Sequence, residues 1–156
     1  MRIVTLTAFL SILLDQVTKI IVVQGLDLES KLRIPVIDGF LSFRMAWNEG
    51  INFGLFAGSG SQNARWILIG VAVVICLAVL YWVRRQRPGT WGQVAAGLII
   101  GGALGNVIDR LWYGAVADFL NVTCCGIVNP FAFNVADAAI FLGAVLLVLM
   151  PAQKGA

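Results

Sequence analysis

The sequence predicts an all-α integral membrane protein with four transmembrane helices and a small extracytoplasmic antiparallel β-hairpin. Three observations predict this class. Hydrophobic residues make up 60% of the 156 residues and charged residues only 12%, a composition typical of membrane proteins. Four apolar runs approach the roughly 20 helical residues that cross a bilayer core. Between the first two runs, apolar and polar residues alternate as they do in strands. We expect one membrane-embedded domain over residues 1–156.

Each apolar run predicts one helix. The runs cover residues 3–23, 66–83, 91–108 and 131–150. The second and third contain no charged residue, whereas the first contains Asp15 and Lys19 and the fourth contains Asp137. The two charged residues of the first run stand where a cleavable signal peptide has small residues, so we expect a retained helix.

Glycines recur every fourth residue in the third run, at Gly97, Gly101 and Gly105. Residues at this spacing fall on one face of a helix, and without side chains they let a neighbouring helix approach closely. We therefore predict a packing role for these glycines.

Basic residues predict the orientation of the chain in the membrane. Arg84, Arg85 and Arg87 crowd the short link between the second and third runs, whereas the basic residues of loop 24–64 are mixed with acidic ones. By the positive-inside rule, this link and both termini are expected in the cytoplasm, and loops 24–64 and 109–130 on the outer face. The net charge of +3 is too small and too scattered to indicate nucleic acid as a partner.

The outer loop 24–64 has a strand pattern of its own. Apolar residues alternate with polar ones or proline at 31–36 and again at 41–47, and Asp38-Gly39 between them is a turn signal. We predict a hairpin with Pro35 on an edge strand. The following segment, 48–56, is apolar and contains glycines, so it either lies on the membrane surface beside a site or serves as a plain connector.

Half of the eight acidic residues fall in the same half of the predicted bundle. They are Asp15, Asp109, Asp118 and Asp137. At about 1.5 Å per helical residue, Asp15 lies about 12 Å below the outer boundary and Asp137 roughly 9 Å below it. The inner halves of the four runs lack charged residues. This one-sided distribution predicts a site open to the outer face and to lipid, and not a path through the membrane.

A structural role is one interpretation of two pairs of charged residues. Asp15 and Lys19 are four residues apart and share a helix face, so we expect an ion pair that supports the fold. For the adjacent Asp109 and Arg110, structural support and substrate contact stand as equal alternatives.

Asp118 and Asp137 lack an obvious cationic partner. A carboxylate at the bilayer centre costs about 3 kcal/mol or more, and such residues usually mark a site. If the two face each other, repulsion and poor hydration raise one pKa, so the pair holds one proton. One carboxylate then deprotonates a water, while the other donates a proton to a substrate carbonyl and later to the leaving amine. The alternative is that Asp118 is a solvated loop residue and Asp137 caps or pairs locally.

Other catalytic classes are excluded or less well matched. The chain has no histidine, which excludes Ser-His-Asp and Cys-His catalysis and the usual zinc sites. A Ser-Lys hydrolase needs a serine near Lys19, but Ser11 is about 12 Å away along the helix. A divalent-metal site on the carboxylates and asparagines offers few ligands. A proton-coupled transporter predicts polar residues at several depths, and a purely structural protein leaves the two unpaired aspartates unexplained. The three cysteines form no disulfide framework. For the adjacent Cys124 and Cys125 the alternatives are a vicinal disulfide and two ordinary thiols, and we expect the thiols.

Five motifs occur in order along the chain. They are Asp15-Gln16-Val17-Thr18-Lys19, Asn48-Glu49-Gly50 followed by Phe53-Gly54, the block Gly101–Arg110, Val116-Ala117-Asp118-Phe119, and Phe133-Asn134-Val135-Ala136-Asp137. Together they resemble the lipoprotein signal peptidase (signal peptidase II) family over nearly the whole chain. Two departures from the family pattern, Asn52 and Ala117, do not touch the two aspartates.

The resemblance implies an aspartic endopeptidase of the bacterial cytoplasmic membrane that needs no cofactor or metal. It removes signal peptides from diacylglyceryl-modified prolipoproteins, cuts before the lipidated cysteine and is inhibited by globomycin. Its expected partners are the prolipoprotein and membrane lipids, and we expect a monomer. The implied catalytic residues are Asp118 and Asp137. The residues implied to line or support the site are Asn48, Asn106, Arg110, Asn134, Asp15, Lys19 and Asp109. The implied fold has four helices, a small extracytoplasmic sheet and a surface helix.

Overall fold

The computed structural model describes residues 1–50, 60–123 and 129–150. In chain order the helices and strands are α1 (Arg2–Lys19), a π-helical segment (Ile20–Gly25), α2 (Leu28–Lys31), β1 (Arg33–Ile37), β2 (Leu41–Asn48), α3 (Gly60–Gln86), α4 (Thr90–Tyr113), β3 (Val116–Val122) and α5 (Val135–Leu149). The predicted surface segment 48–56 lies outside the described residues beyond Gly50, and so do Cys124 and Cys125.

Three helical stretches are long and apolar enough to cross a membrane. Each has 24 residues: Arg2–Gly25, Asn63–Gln86 and Thr90–Tyr113. They correspond to the first three predicted helices. Apolar α5 has only 15 residues, fewer than the roughly 20 that a span needs, so a fourth transmembrane helix is not confirmed.

The prediction of a helix over residues 131–150 was wrong at its beginning. Phe133 exchanges backbone hydrogen bonds with Leu120 (2.8 and 2.9 Å) in an isolated antiparallel bridge. This extended pairing is incompatible with helical backbone, so α5 starts at Val135, after the bridge. Hydropathy did not reveal the difference because the extended residues are as apolar as the helix.

Helix α4 lies between α1, α3 and α5 and contacts all three. A Cβ added at Gly97 would lie 2.8 Å from the Val4 carbonyl oxygen, and one added at Gly101 would lie 2.6 Å from that of Ala8. These distances confirm the predicted close approach of a neighbouring helix, which is α1. At Gly105 the space is filled by a side chain instead, the carboxylate of Asp15, 2.9 Å from an added Cβ.

The sheet has three antiparallel strands in the order β1-β2-β3. The predicted hairpin is confirmed: β1 and β2 are joined through Gly39, whose φ of 73° suits glycine, and Pro35 lies on the edge strand β1. Strand β3 was not predicted, since residues 109–130 were expected to form a loop. It pairs with the free edge of β2, and its Asp118 lies opposite Ala46.

A second apolar cluster joins the sheet to the end of α1. Ala117 and Phe119 of β3 pack with Val22 and Val23 of the π-helical segment and with Leu28. Leu28 and Phe119 are at most 1% exposed. This packing holds β3, and therefore Asp118, at the end of the bundle where α1 and α4 carry their charged residues.

Candidate active site

The structure brings Asp118 and Asp137 to one site through two asparagines. The Asn134 amide donates to Asp118 Oδ1 (2.7 Å) and to Asn106 Oδ1 (3.1 Å). The Asn106 amide in turn donates to Asp137 Oδ1 (2.8 Å). Asn134 is fully buried and Asn106 is 9% exposed. A continuous chain of hydrogen bonds therefore connects the two carboxylates, which come from β3 and α5.

Local sequence explains the place of Asp137. Asn134 is the N-cap of α5, with its Oδ1 accepting from the Asp137 N–H (2.8 Å), while Asp137 Oδ2 accepts from the Asn134 N–H (3.3 Å). This reciprocal pattern is a capping box, and a carboxylate in the first turn also suits the helix dipole. The alternative that Asp137 caps a helix locally is thus correct as a description of its hydrogen bonds. Both residues lie at the start of α5. The sequence had predicted them within a longer helix over residues 131–150.

Asp118 is not a solvated loop residue, because only 4% of it is exposed. Its Oδ2 accepts from the amide of Asn48 (3.0 Å), the last residue of β2. Burial, and secondarily the negative charge of Asp137, raise the pKa of Asp118 from 3.8 to about 6, against the opposing effect of its bonds from Asn48 and Asn134. The pKa of Asp118 is therefore raised, as the sequence predicted for one member of the pair.

The turn from α4 into β3 determines where β3 places Asp118. Gly114 ends α4 in the left-handed region (φ 85°), and its N–H donates to the Arg110 carbonyl oxygen (3.2 Å). Only two residues, Gly114 and Ala115, separate α4 from β3, so the strand leaves the helix end directly and passes the site. A glycine suits this conformation because it has no Cβ.

Arg110 faces the site from α4. One terminal nitrogen donates to the Asn106 carbonyl oxygen (3.3 Å), while its Nε is buried and has no hydrogen-bond partner among the described residues. A cavity of about 170 Å³ adjoins it, with Asn106 and Arg110 as its polar lining and otherwise apolar side chains, among them Leu68, Ile75, Ala103 and Ile140. The predicted Arg110 therefore borders a mostly apolar space between α3, α4 and α5.

The expected ion pair of Asp15 and Lys19 is confirmed, with Lys19 Nζ 2.7 Å from Asp15 Oδ2. The structure adds a third member, because the same Nζ lies 2.7 Å from Asp109 Oδ2. Asp15 and Asp109 are fully buried and Lys19 is 4% exposed. Of the two alternatives for Asp109, structural support is the one that this geometry matches.

Two polar residues of the site region were missed. Gln16 Nε2 donates to Asp15 Oδ2 (3.1 Å) and to Asp109 Oδ1 (2.9 Å). Asn121 of β3 donates to the carbonyl oxygens of Asn129 (2.9 Å) and Phe131 (2.7 Å), which holds the extended segment before α5. Gln16 lay inside a quoted motif and was detectable there, whereas nothing in the sequence distinguishes Asn121.

The part of the chain that the structure describes contains no cluster of metal-ligating side chains. Among residues 1–50, 60–123 and 129–150, no three His, Cys, Asp or Glu residues are grouped as metal ligands. The oxygens of Asp118 and Asp137 instead accept hydrogen bonds from amides. In the described residues, amide donors therefore occupy oxygens of both carboxylates.

The fold and the site define a class of protein: a helical membrane protein with two linked carboxylates beside an apolar cavity. A sequence profile described as signal peptidase (SPase) II matches residues 7–152. The lipoprotein signal peptidases of Rhodopseudomonas palustris (strain TIE-1) and Sphingopyxis alaskensis are each 42% identical to the chain; the first alignment covers 94% of this chain and 89% of the relative, the second 90% and 80%. The chain belongs to the signal peptidase II family and is therefore a peptidase.

Solved structures agree with this assignment. Two structures described as bacterial membrane enzymes superpose with TM-scores of 0.79 and 0.74, at 29% and 28% identity. The first comparison covers 97% of this chain and 94% of the other, and the second covers 94% and 85%. The family and the apolar helices identify a membrane protein, and the transporter alternative has no support.

Proposed function

We propose that the chain is an aspartic endopeptidase that removes signal peptides from diacylglyceryl-modified prolipoproteins and cleaves before the lipidated cysteine. The observation that carries the aspartic assignment is the chain of hydrogen bonds that links Asp118 to Asp137 through Asn134 and Asn106. It ties together the two carboxylates that the resemblance implies to be catalytic. The substrate class rests on family membership.

We propose Asp118 as the acid and Asp137 as the base, and the difference between their environments supports this. Burial and Asp137 raise the pKa of Asp118 to about 6, so Asp118 is the residue that retains the shared proton. Asp137 is half-buried at the N-terminus of α5, where the helix dipole favours a carboxylate. Two carboxylates in different environments take the acid and base roles in this way.

The chemical steps then balance with these two groups alone. Asp137 takes a proton from water as the oxygen adds to the scissile carbonyl carbon, and Asp118 gives its proton to the carbonyl oxygen. When the tetrahedral intermediate breaks down, Asp137 gives the proton that it took from water to the leaving nitrogen, a step that the sequence had suggested for the acid, and Asp118 regains a proton from the hydroxyl group. Asn106 and Asn134, which already hold the carboxylates, keep the pair oriented throughout.

A substrate held in the membrane suits the surroundings of the site. The apolar cavity beside Asn106 and Arg110 is bounded by α3, whose outer face exposes large apolar side chains such as Val74 and Leu77 (64% and 60%). Exposed apolar surface of this extent favours contact with lipid. We propose that the lipid-anchored substrate reaches the site from this side. Since one chain supplies every residue of the proposed site, we propose that it acts as a monomer.

The proposed orientation places both termini in the cytoplasm of the bacterial inner membrane and the site toward the outer face. The support is the position of charges along α4. Asn106 and Arg110 lie near its C-terminal end, whereas Arg84 and Arg85 in the last turn of α3 and Arg87 in the link lie next to its N-terminal end. The basic link and the site are therefore at opposite ends of one helix, as the positive-inside rule requires for an outer site.

A gel-shift assay tests the function. Purified protein in detergent, with EDTA present, is incubated with a diacylglyceryl-modified prolipoprotein. Wild type should cleave it, and Asp118→Asn and Asp137→Asn should not while they keep wild-type circular dichroism. Asp38→Asn, at the exposed β1–β2 turn, is the matched control and should cleave normally. Normal turnover by either site variant refutes the aspartate pair, and no cleavage by folded wild type refutes the proposed substrate.

A further inference from the structure

Two buried carboxylates outside the proposed catalytic pair each hold one particular backbone amide. Asp109 Oδ2 accepts from the Ala117 N–H (3.1 Å), and Asp15 Oδ1 accepts from the Ala136 N–H (2.9 Å). In both cases the amide belongs to the residue immediately before a proposed catalytic aspartate. The same type of contact therefore occurs twice, at the same offset, on a strand and on a helix.

The two carboxylates are themselves joined by α1. Lys19 Nζ lies 2.7 Å from an oxygen of each, and Gln16 Nε2 donates to each (3.1 and 2.9 Å). We call Asp15, Lys19 and Asp109 the lysine bridge. Because all three are at most 4% exposed, the bridge does not reach the substrate.

Neither amide has an alternative partner within its own secondary structure. The Ala136 N–H lies in the first turn of α5, where helical N–H groups have no intrahelical acceptor. The Ala117 N–H lies on the edge of β3 that faces away from β2, the edge on which Phe119 donates to the Phe133 carbonyl oxygen (3.1 Å). Buried N–H groups require acceptors, and the bridge supplies both.

We infer that the lysine bridge sets the distance between the two catalytic aspartates by fixing the backbone just before each of them. Asp15, Lys19 and Asp109 are then positioning residues for the reaction. The inference rests on the proposed function, since it assigns the bridge a role in the same site. Its physical basis is that one rigid ion-paired unit holds the start of α5 and the middle of β3 at once.

Charge-matched variants test this role. The bridge carries a formal charge of −1, which Lys19→Met changes to −2 and Lys19→Met/Asp109→Asn returns to −1. The amide oxygen introduced at position 109 still accepts from Ala117, and its NH₂ group takes the place of Oδ1 and faces the side-chain amide of Gln16, which has to turn its oxygen toward it. A displacement of about 1 Å at a reacting group costs about 100-fold in rate. We therefore expect kcat to fall about 100-fold in Lys19→Met with KM little changed, and to recover at least about tenfold in the double variant.

A second readout does not depend on activity. Hydrogen–deuterium exchange of the amides of Ala117 and Ala136 should accelerate in Lys19→Met and slow again in the double variant, with α3 unchanged. Ser11→Ala is the matched control on α1. Ser11 is 7% exposed, and among the described residues its hydroxyl bonds only to the Thr7 carbonyl oxygen of its own helix (2.9 Å), so kcat and exchange should stay at wild-type values.

The outcomes separate this inference from the proposed function. If wild type does not cleave the prolipoprotein, the proposed function is wrong. The exchange experiment still tests whether the lysine bridge fixes the two amides. If wild type cleaves and Lys19→Met keeps its kcat and its slow exchange, the bridge does not position the aspartates. If the double variant regains thermal stability but not kcat, the bridge is only structural and the inference is wrong.

Discussion

Replacing Asp118 with asparagine should remove a specific pH dependence of stability. The pKa of Asp118 is raised from 3.8 to about 6, first by burial and then by Asp137. The folded state therefore binds this proton more tightly than the unfolded state. Its contribution is fully present below about pH 4 and is lost as the pH rises through about 6. Wild type should thus lose stability across this window relative to Asp118→Asn.

The magnitude follows from the two pKa values. At about 1.4 kcal/mol per pH unit, a change from 3.8 to about 6 corresponds to about 3 kcal/mol. Asp118 is only 4% exposed, so solvent screens this effect little. For a chain of this size, about 3 kcal/mol corresponds to roughly 6–12 °C in Tm. Since burial is the larger cause, Asp137→Asn should retain most of the dependence.

The assay is thermal unfolding in detergent, followed by circular dichroism at intervals from pH 4 to pH 7. The quantity compared is the difference in Tm between wild type and Asp118→Asn, because the titration of other groups cancels in it. Asp38→Asn, at an exposed turn, should track wild type across the range. A difference that stays constant with pH, or that moves in the opposite direction, refutes the reasoning.

Three further predictions follow from packing, capping and ligand geometry. Gly101→Ala should destabilise the protein by about 1–3 kcal/mol, because the added methyl would lie 2.6 Å from the Ala8 carbonyl oxygen; thermal unfolding measures the loss. Asn134→Ala should cost roughly 2–4 kcal/mol and abolish cleavage, because it removes an N-cap and a hydrogen bond to buried Asp118; unfolding and gel shift measure both effects. EDTA should leave cleavage unchanged, because both carboxylates already accept hydrogen bonds from amides.

Each of the three has a control and a contrary result. Gly70→Ala, with nothing within 4 Å of an added Cβ, should be neutral or stabilising, and an equal loss at both glycines contradicts the packing argument. Asn134→Ser keeps a capping oxygen, so it should regain stability without regaining full activity; full activity contradicts the bridging role of the amide. Cleavage that EDTA abolishes and a divalent ion restores contradicts a metal-independent pair.

The sequence by itself determined the features that depend on local pattern. Helix-length apolar runs at 3–23, 66–83 and 91–108 correspond to three helices that can cross a membrane, because apolar length alone decides whether a helix can span a bilayer. The hairpin of β1 and β2 follows from alternation and a glycine turn. The pairing of Asp15 with Lys19 follows from a spacing of four residues.

Tertiary structure alone decided what depends on residues distant in the chain. Strand β3 forms because Val116–Val122 pairs with the free edge of β2, and no local sequence pattern indicates that pairing. Phe133 is extended because it pairs with Leu120, which delays the start of α5. Lys19 also binds Asp109, a contact between α1 and α4 that requires both helices to be packed. A motif can identify the charged residues of a buried network, but only the folded chain determines which atoms each of them holds.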